Sequence, residues 1–369
     1  MGREALRRVS ATLGLTPADA RAPPHPEGAV LDDFIAGLPK VELHVHQVGS
    51  ASPATVARLA ARHAGSTPVP ADPDLLADYF QFTDFAHFIE VYLSVVDLIR
   101  DADDVVTLTC DIAAGLAAQQ VRYAELTLTP YSSIVRGIAA EAFCEAIEDA
   151  RRRAVRDHGV QLRWCFDIPG EAGLEAAEIT LDLALRQRPD GLVSFGLGGP
   201  EIGVPRGQFA GHFAAARAAG LRSVPHAGES TGPQTVWDAL HQLGAERIGH
   251  GIAAADDETL MAYLRDQDIA LEVCPTSNVC TRAVPSLAEH PLPTLAAAGV
   301  PVTINSDDPP MFSTTLNREY AVAAELLQLD QNGVAELARR SVRYSFLDDP
   351  GKAAVLAEID GYAGVSVAQ

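Results

Sequence analysis

Four short segments hold the residue types from which a hydrolytic metal site is built: His44-Val45-His46, His226-Ala227-Gly228-Glu229, Gly249-His250-Gly251 and Asn305-Ser306-Asp307-Asp308. Strand side chains two apart point the same way, so His44 and His46 aim two imidazoles at one point. His226 adds a third imidazole and Asp307 a carboxylate. That donor set, with a position left for water, suits a catalytic Zn²⁺. Zinc lowers the pKa of a bound water towards neutrality. His250 then takes a proton from that water or holds it by charge, while Glu229 gives a proton to the substrate nitrogen beside the attacked carbon. Glycines flank His250 and let a ligand approach the backbone. Adjacent carboxylates leave a strand on different sides, so Asp307 binds metal and Asp308 hydrogen-bonds substrate. The structural alternatives are satisfied core histidines, a solvated loop carboxylate at Glu229 and a helix cap at Asp308.

The elements that must position these residues recur along the chain. Eight β-rich runs, 41–46, 121–128, 161–168, 192–197, 222–226, 247–250, 270–274 and 301–305, alternate with Ala/Leu/Glu/Arg-rich stretches at helical spacing. Such alternation predicts parallel pairing, and eight units fit one α/β (β/α)₈ TIM barrel. In that fold reactive side chains collect at the C-terminal strand ends, where the four segments stand. The gap between the first two strands is the longest; it holds extra helices and the aromatics Phe82, Phe85, Phe88 and Tyr92. A doubly wound sheet would carry a glycine-rich turn after its first strand, where this chain has histidines. Residues 1–30 are polar and proline-bearing and read as an N-terminal extension, leaving 31–369 as a single domain.

Composition narrows the chemistry. Of 369 residues 47% are apolar, which supports a real core and excludes wholesale disorder. The net charge of −21, from 28 basic against 49 acidic residues, disfavours nucleic acid and anionic membranes as partners. Only Lys40 and Lys352 are lysines. A Schiff-base lysine, a phosphate-loop lysine and a carboxylated lysine bridging two metals are therefore all disfavoured. The five cysteines are scattered without a C-x-x-C pair and read as reduced thiols. No apolar run reaches membrane-spanning length, and the first residues lack a secretory signal pattern, so the expected location is the cytoplasm.

Together with Leu38-Pro39-Lys40-Val41-Glu42-Leu43 and Pro309, these segments resemble the adenosine/adenine/AMP deaminase family of the amidohydrolase superfamily. The resemblance spans about 31–350. It implies one zinc per chain on His44, His46, His226 and Asp307, with Glu229 protonating the purine at N1. It further implies that His250 orients or deprotonates the attacking water and that Asp308 binds the N7 edge. In Gly196-Leu197-Gly198-Gly199-Pro200-Glu201, the Gly199 N–H is the implied backbone contact to the base. Binuclear relatives carry a carboxylated lysine on strand four; 192–197 contains none, in agreement with a single metal.

One position departs from the family pattern. Adenosine deaminases read H-x-H-x-D, the Asp accepting from the ribose 5′-hydroxyl, whereas here Val48 stands in its place. A buried 5′-hydroxyl left unpaired there costs about 1–3 kcal/mol. The expected substrate is thus a small-molecule aminopurine nucleoside modified at 5′. Among family members the aminodeoxyfutalosine deaminases of menaquinone biosynthesis meet that demand; adenosine and adenine are the alternatives. Arg122, Arg206 and Arg282 are candidate partners for a carboxylate on such a substrate.

Overall fold

The computed structural model describes residues 26–83 and 85–366. Its eight strands are β1 Lys40–His46, β2 Val121–Leu128, β3 Gln161–Pro169, β4 Leu192–Gly198, β5 Arg222–Ala227, β6 Arg247–His250, β7 Ala270–Val273 and β8 Val302–Ile304. They pair in parallel in the order of the sequence. Each expected run coincides with a strand to within about two residues. The strands are buried on both faces, as parallel strands under a ring of helices are.

Four helices, Pro53–Arg62, Pro73–Tyr79, Phe85–Val96 and Ala102–Ala118, fill the long connection from β1 to β2. Ser52, Asp72 and Asp101 cap three of them, and Pro53 and Pro73 open two, which fixes their starts. Ala102–Ala118 buries Val105, Leu108, Ile112 and Leu116 at a three-to-four-residue spacing against the barrel.

The barrel closes between β1 and the chain just beyond β8. Val45 bridges Asp307; His46 N donates to Asp307 O at 2.9 Å and Asp307 N to His44 O at 3.1 Å. Side chains extend this seam. Leu43 N donates to Asn305 Oδ1 at 3.0 Å, and Glu42 Oε1 accepts from Ser306 N at 2.8 Å and Ser306 Oγ at 2.7 Å. The closing contacts and the predicted metal ligands are therefore the same few residues.

At the opposite end, Lys40 is buried and its Nζ donates to the carbonyls of Ile35 and Leu38 at 2.7 and 2.6 Å. It plugs the end of helix Pro26–Gly37, far from the strand ends that carry the histidines. That helix crosses the expected domain boundary at residue 30; the rest of the expected extension, 1–25, lies outside the described residues. All five cysteines are free. Among the described residues no helix is long and apolar enough to cross a membrane.

Candidate active site

Four donor atoms converge at the seam. His46 Nε2 lies 3.2 Å from His226 Nε2 and 3.3 Å from Asp307 Oδ1, and His44 Nε2 lies 3.5 Å from Asp307 Oδ1. Bonds of ~2.0–2.1 Å to a tetrahedral ion give donor separations of about 3.3–3.4 Å. These three separations stand near that spacing, and potential ligand atoms of His44, His46 and Asp307, and of His44, His226 and His250, lie within 4.8 Å of one another. His44 Nε2 is buried with no hydrogen-bond partner, an orphaned donor atom that a metal ion would satisfy. Burial holds His46 neutral, its pKa pushed down to about 4, and holds His226 well below its usual range. Burial works against charge on His44 too, but the Asp307 and Glu272 carboxylates outweigh it and raise that ring to about 10, negative charge that a divalent cation would equally meet. Imidazoles and a carboxylate are the donor chemistry of a borderline divalent metal, so the residues present fit zinc.

Backbone geometry brings the side chains in. Asp307 and His250 adopt φ of +64° and +59°, a left-handed conformation that costs of order 1–3 kcal/mol each for such residues and turns them at their strand ends. Gly249 acts differently from the expectation drawn from the sequence. A Cβ there would sit 2.8 Å from His44 Cε1 and 3.2 Å from His226 Cγ, so its bareness admits the imidazoles rather than a ligand.

β7, from which no site residue was expected, supports the constellation. Glu272 Oε2 accepts from His44 Nδ1 at 2.9 Å, which orients that ring. Arg247 lies behind it, 2.6 Å from Glu272 Oε1 and paired with Glu125. Burial works against the Glu272 charge, but Arg247 and His44 outweigh it and hold the carboxyl below its usual range. The helix Pro275–Cys280 follows. Ser277 Oγ donates to Asp307 Oδ2 at 2.6 Å, Asn278 Nδ2 lies 3.1 Å from His250 Nδ1, and Thr281 Oγ1 is 3.1 Å from Glu229 Oε1.

Glu229 Oε2 stands 3.7 Å from His250 Nε2, so the two expected proton handlers face each other. Burial first, then the charges of Asp307 and Glu201, push the Glu229 carboxyl up to about 8. Its loop is held by Glu201, whose Oε2 accepts from Ser230 N, Thr231 N and Thr231 Oγ1 at 3.1, 3.0 and 2.6 Å. Asp308 is buried, and its Oδ1 has no hydrogen-bond partner. It caps no helix; it sits over Gly49, where a Cβ would fall 1.6 Å from that oxygen.

These groups border one open cavity. His46, His226, Glu229, His250, Asp307 and Asp308 form one side. Thr129, Asp167, Glu171 and Gly199, from the ends of β2 to β4, form the other, and Phe88, Ile89, Tyr92 and Leu93 supply an apolar wall. Gly199 is thus at the wall, with φ +78°. Asp167 was missed from the sequence; it is a buried carboxylate that accepts from Thr129 Oγ1 at 2.7 Å. Val48 is not on this wall. It lines a smaller side cavity with Val96 and Ile99, which shares Tyr92, Thr129 and Ser132 with the larger one. Of the three arginines, Arg122 starts β2 at the far end and pairs with Glu358, and Arg206 is buried against Glu201. Arg282 alone is exposed beside a cavity residue, Thr281.

The sequence signal for the missed supports is thin. Glu42, His44 and His46 alternate on one strand, which marks Glu42 as facing the same interior. Glu272, Asn278 and Glu201 have no such spacing; only their distant partners reveal them.

Comparisons agree with this geometry. The family model described as adenosine deaminase matches residues 39–362. The chain is 66% identical over 343 residues to an aminodeoxyfutalosine deaminase from Streptomyces avermitilis, covering 92% of this chain and 96% of that protein. Among solved structures, the adenine deaminase from Arthrobacter aurescens superposes with a TM-score of 0.84 at 31% identity, covering 89% of this chain and all of the other. An amidohydrolase from Burkholderia ambifaria with bound Zn superposes with a TM-score of 0.83 at 26% identity, covering 92% and 95%. Strand order, convergent ligands and sequence likeness lead to one assignment: the chain belongs to the adenosine deaminase family.

Proposed function

We propose that this enzyme hydrolytically removes the 6-amino group of a 5′-modified adenosine, aminodeoxyfutalosine being the preferred substrate, with one zinc ion on His44, His46, His226 and Asp307. The observation that carries the reading is the close approach of His46 to His226 and Asp307, and of His44 to Asp307, beside a buried Glu229 whose carboxyl is pushed up to about 8. The chemistry zinc supplies when bound is the activation of a water near neutral pH.

The remaining steps belong to the chain. Glu229, with its carboxyl pushed up to about 8, holds a proton at neutral pH and gives it to purine N1, which makes the adjacent C6 electrophilic. Burial and then the Asp307 charge raise the Asp308 carboxyl well above its usual range, so it can hold a proton and donate to N7, and the Gly199 backbone N–H serves the base from the opposite wall. Phe88, Ile89, Tyr92 and Leu93 exclude water along one side.

Substrate choice is supported by three features. The cavity carries an apolar wall of Phe88, Ile89, Tyr92 and Leu93, which suits an apolar extension on the nucleoside. Its walls hold five carboxylates and, among the described residues, no Lys or Arg, which disfavours a 5′-phosphate. Val48 offers no acceptor to a 5′-hydroxyl. A deamination screen of the zinc-loaded protein over adenine, adenosine, AMP, 5′-deoxy-5′-aryl adenosines and aminodeoxyfutalosine tests this. The 5′-modified nucleosides should show the highest kcat/KM; faster turnover of plain adenosine or adenine overturns the substrate assignment.

A further inference from the structure

Behind His250 a chain of three buried hydrogen bonds determines which ring nitrogen carries its proton. The backbone N–H of Leu292 donates to His290 Nδ1 at 3.0 Å, so that nitrogen presents its lone pair. Burial holds His290 neutral, its pKa pushed down to about 4, and the ring proton therefore resides on Nε2. That atom lies 3.2 Å from Asn278 Oδ1, which accepts. An amide whose oxygen is used in this way turns its nitrogen to the other side, where Asn278 Nδ2 donates to His250 Nδ1 at 3.1 Å. A neutral His250 that accepts at Nδ1 carries its proton on Nε2. Nε2 faces the cavity, 3.8 Å from the acceptor Asp307 Oδ2 and 3.7 Å from Glu229 Oε2. Leu292, His290, Asn278 and His250 are all buried, so bulk solvent does not exchange into the chain. The polarity starts at a backbone amide, which cannot reverse.

We propose that Asn278 and His290 are positioning residues that lock His250 as an Nε2–H donor, so that it orients the water attacking C6 rather than taking that water's proton. Neither residue touches the cavity, and both act only through the His250 ring. The inference rests on the deaminase reading for its consequence, but the tautomer stands on the hydrogen bonds alone.

The test is long-range ¹H–¹⁵N correlation on zinc-loaded protein labelled at histidine nitrogen, with kinetics alongside. Native His250 should show an unprotonated Nδ1 and a protonated Nε2 at neutral pH. In Asn278→Asp a carboxylate that can only accept replaces the donor, so the proton should move to His250 Nδ1. kcat should then fall by roughly 10²-fold, the share of one lost oriented hydrogen-bond donor, with KM within a few-fold and zinc retained. His290→Gln keeps an N–H donor at the right reach and should retain a large part of kcat. A native His250 protonated at Nδ1, or an Asn278→Asp protein that keeps the Nε2–H form and near-native kcat, overturns the lock. Should Asn278→Asp fail to fold, the native spectrum alone decides. A correct native tautomer in a protein that deaminates no adenine compound would instead sink the functional reading.

Discussion

Glu229 carries the sharpest expectation at the scale of single residues. Its carboxyl is raised to about 8 by burial and by the charges of Asp307 and Glu201, and an acid must hold its proton to give it away. The rate should therefore be level below about pH 7 and decline tenfold per unit above about pH 8. Glu229→Gln keeps the shape, cannot deliver a proton, and should lower kcat by roughly 10²–10⁴-fold without loss of zinc. A pH–rate series on both proteins checks this; near-native turnover in the variant would remove the acid assignment. His44, His46, His226, Glu229, His250, Asp307 and Asp308 were legible in the sequence because their types are uncommon together and each ends a strand. Val48 was legible as a departure, but its place in a side cavity was not, because spacing along a chain says nothing of which wall a loop residue joins.

Elements show why other residues stayed hidden. The strands could be read because apolar, β-branched runs between helical stretches have one good arrangement. β7 and the helix Pro275–Cys280 contribute no expected ligand, yet they steady His44, His250, Asp307 and Glu229 through Glu272, Ser277, Asn278 and Thr281. Those contacts join residues that the fold, not the local sequence, brings together; His44 and Glu272 are 228 positions apart. A glutamate that orients a metal-ligating histidine gives a measurable expectation. Glu272→Gln should weaken zinc affinity by roughly 10–100-fold, read by competition with a coloured chelator. Glu272→Ala also strips Arg247 of one of its two buried carboxylates and should cost about 3–5 kcal/mol in urea unfolding. Unchanged zinc affinity in Glu272→Gln would remove the orienting role.

For the whole molecule, the proposed metal site and barrel closure coincide, since the seam between β1 and the chain after β8 contains His44, His46 and Asp307. Metal binding to the folded form alone should thus stabilise the entire barrel, by about 4 kcal/mol at a thousandfold excess over Kd. Chelated protein should melt several degrees lower than the zinc-loaded form, and restored zinc should raise the transition again; identical melting curves would separate the site from the fold. The acidity legible in the composition also recurs at the site, as a cavity rich in carboxylates. The most direct test of the account is a zinc titration of fully chelated protein, followed by the ultraviolet change as a 6-aminopurine nucleoside is deaminated. The rate should climb linearly from near zero and break sharply at one equivalent per chain. A rate that is already full without metal, or that never responds to zinc, would contradict it.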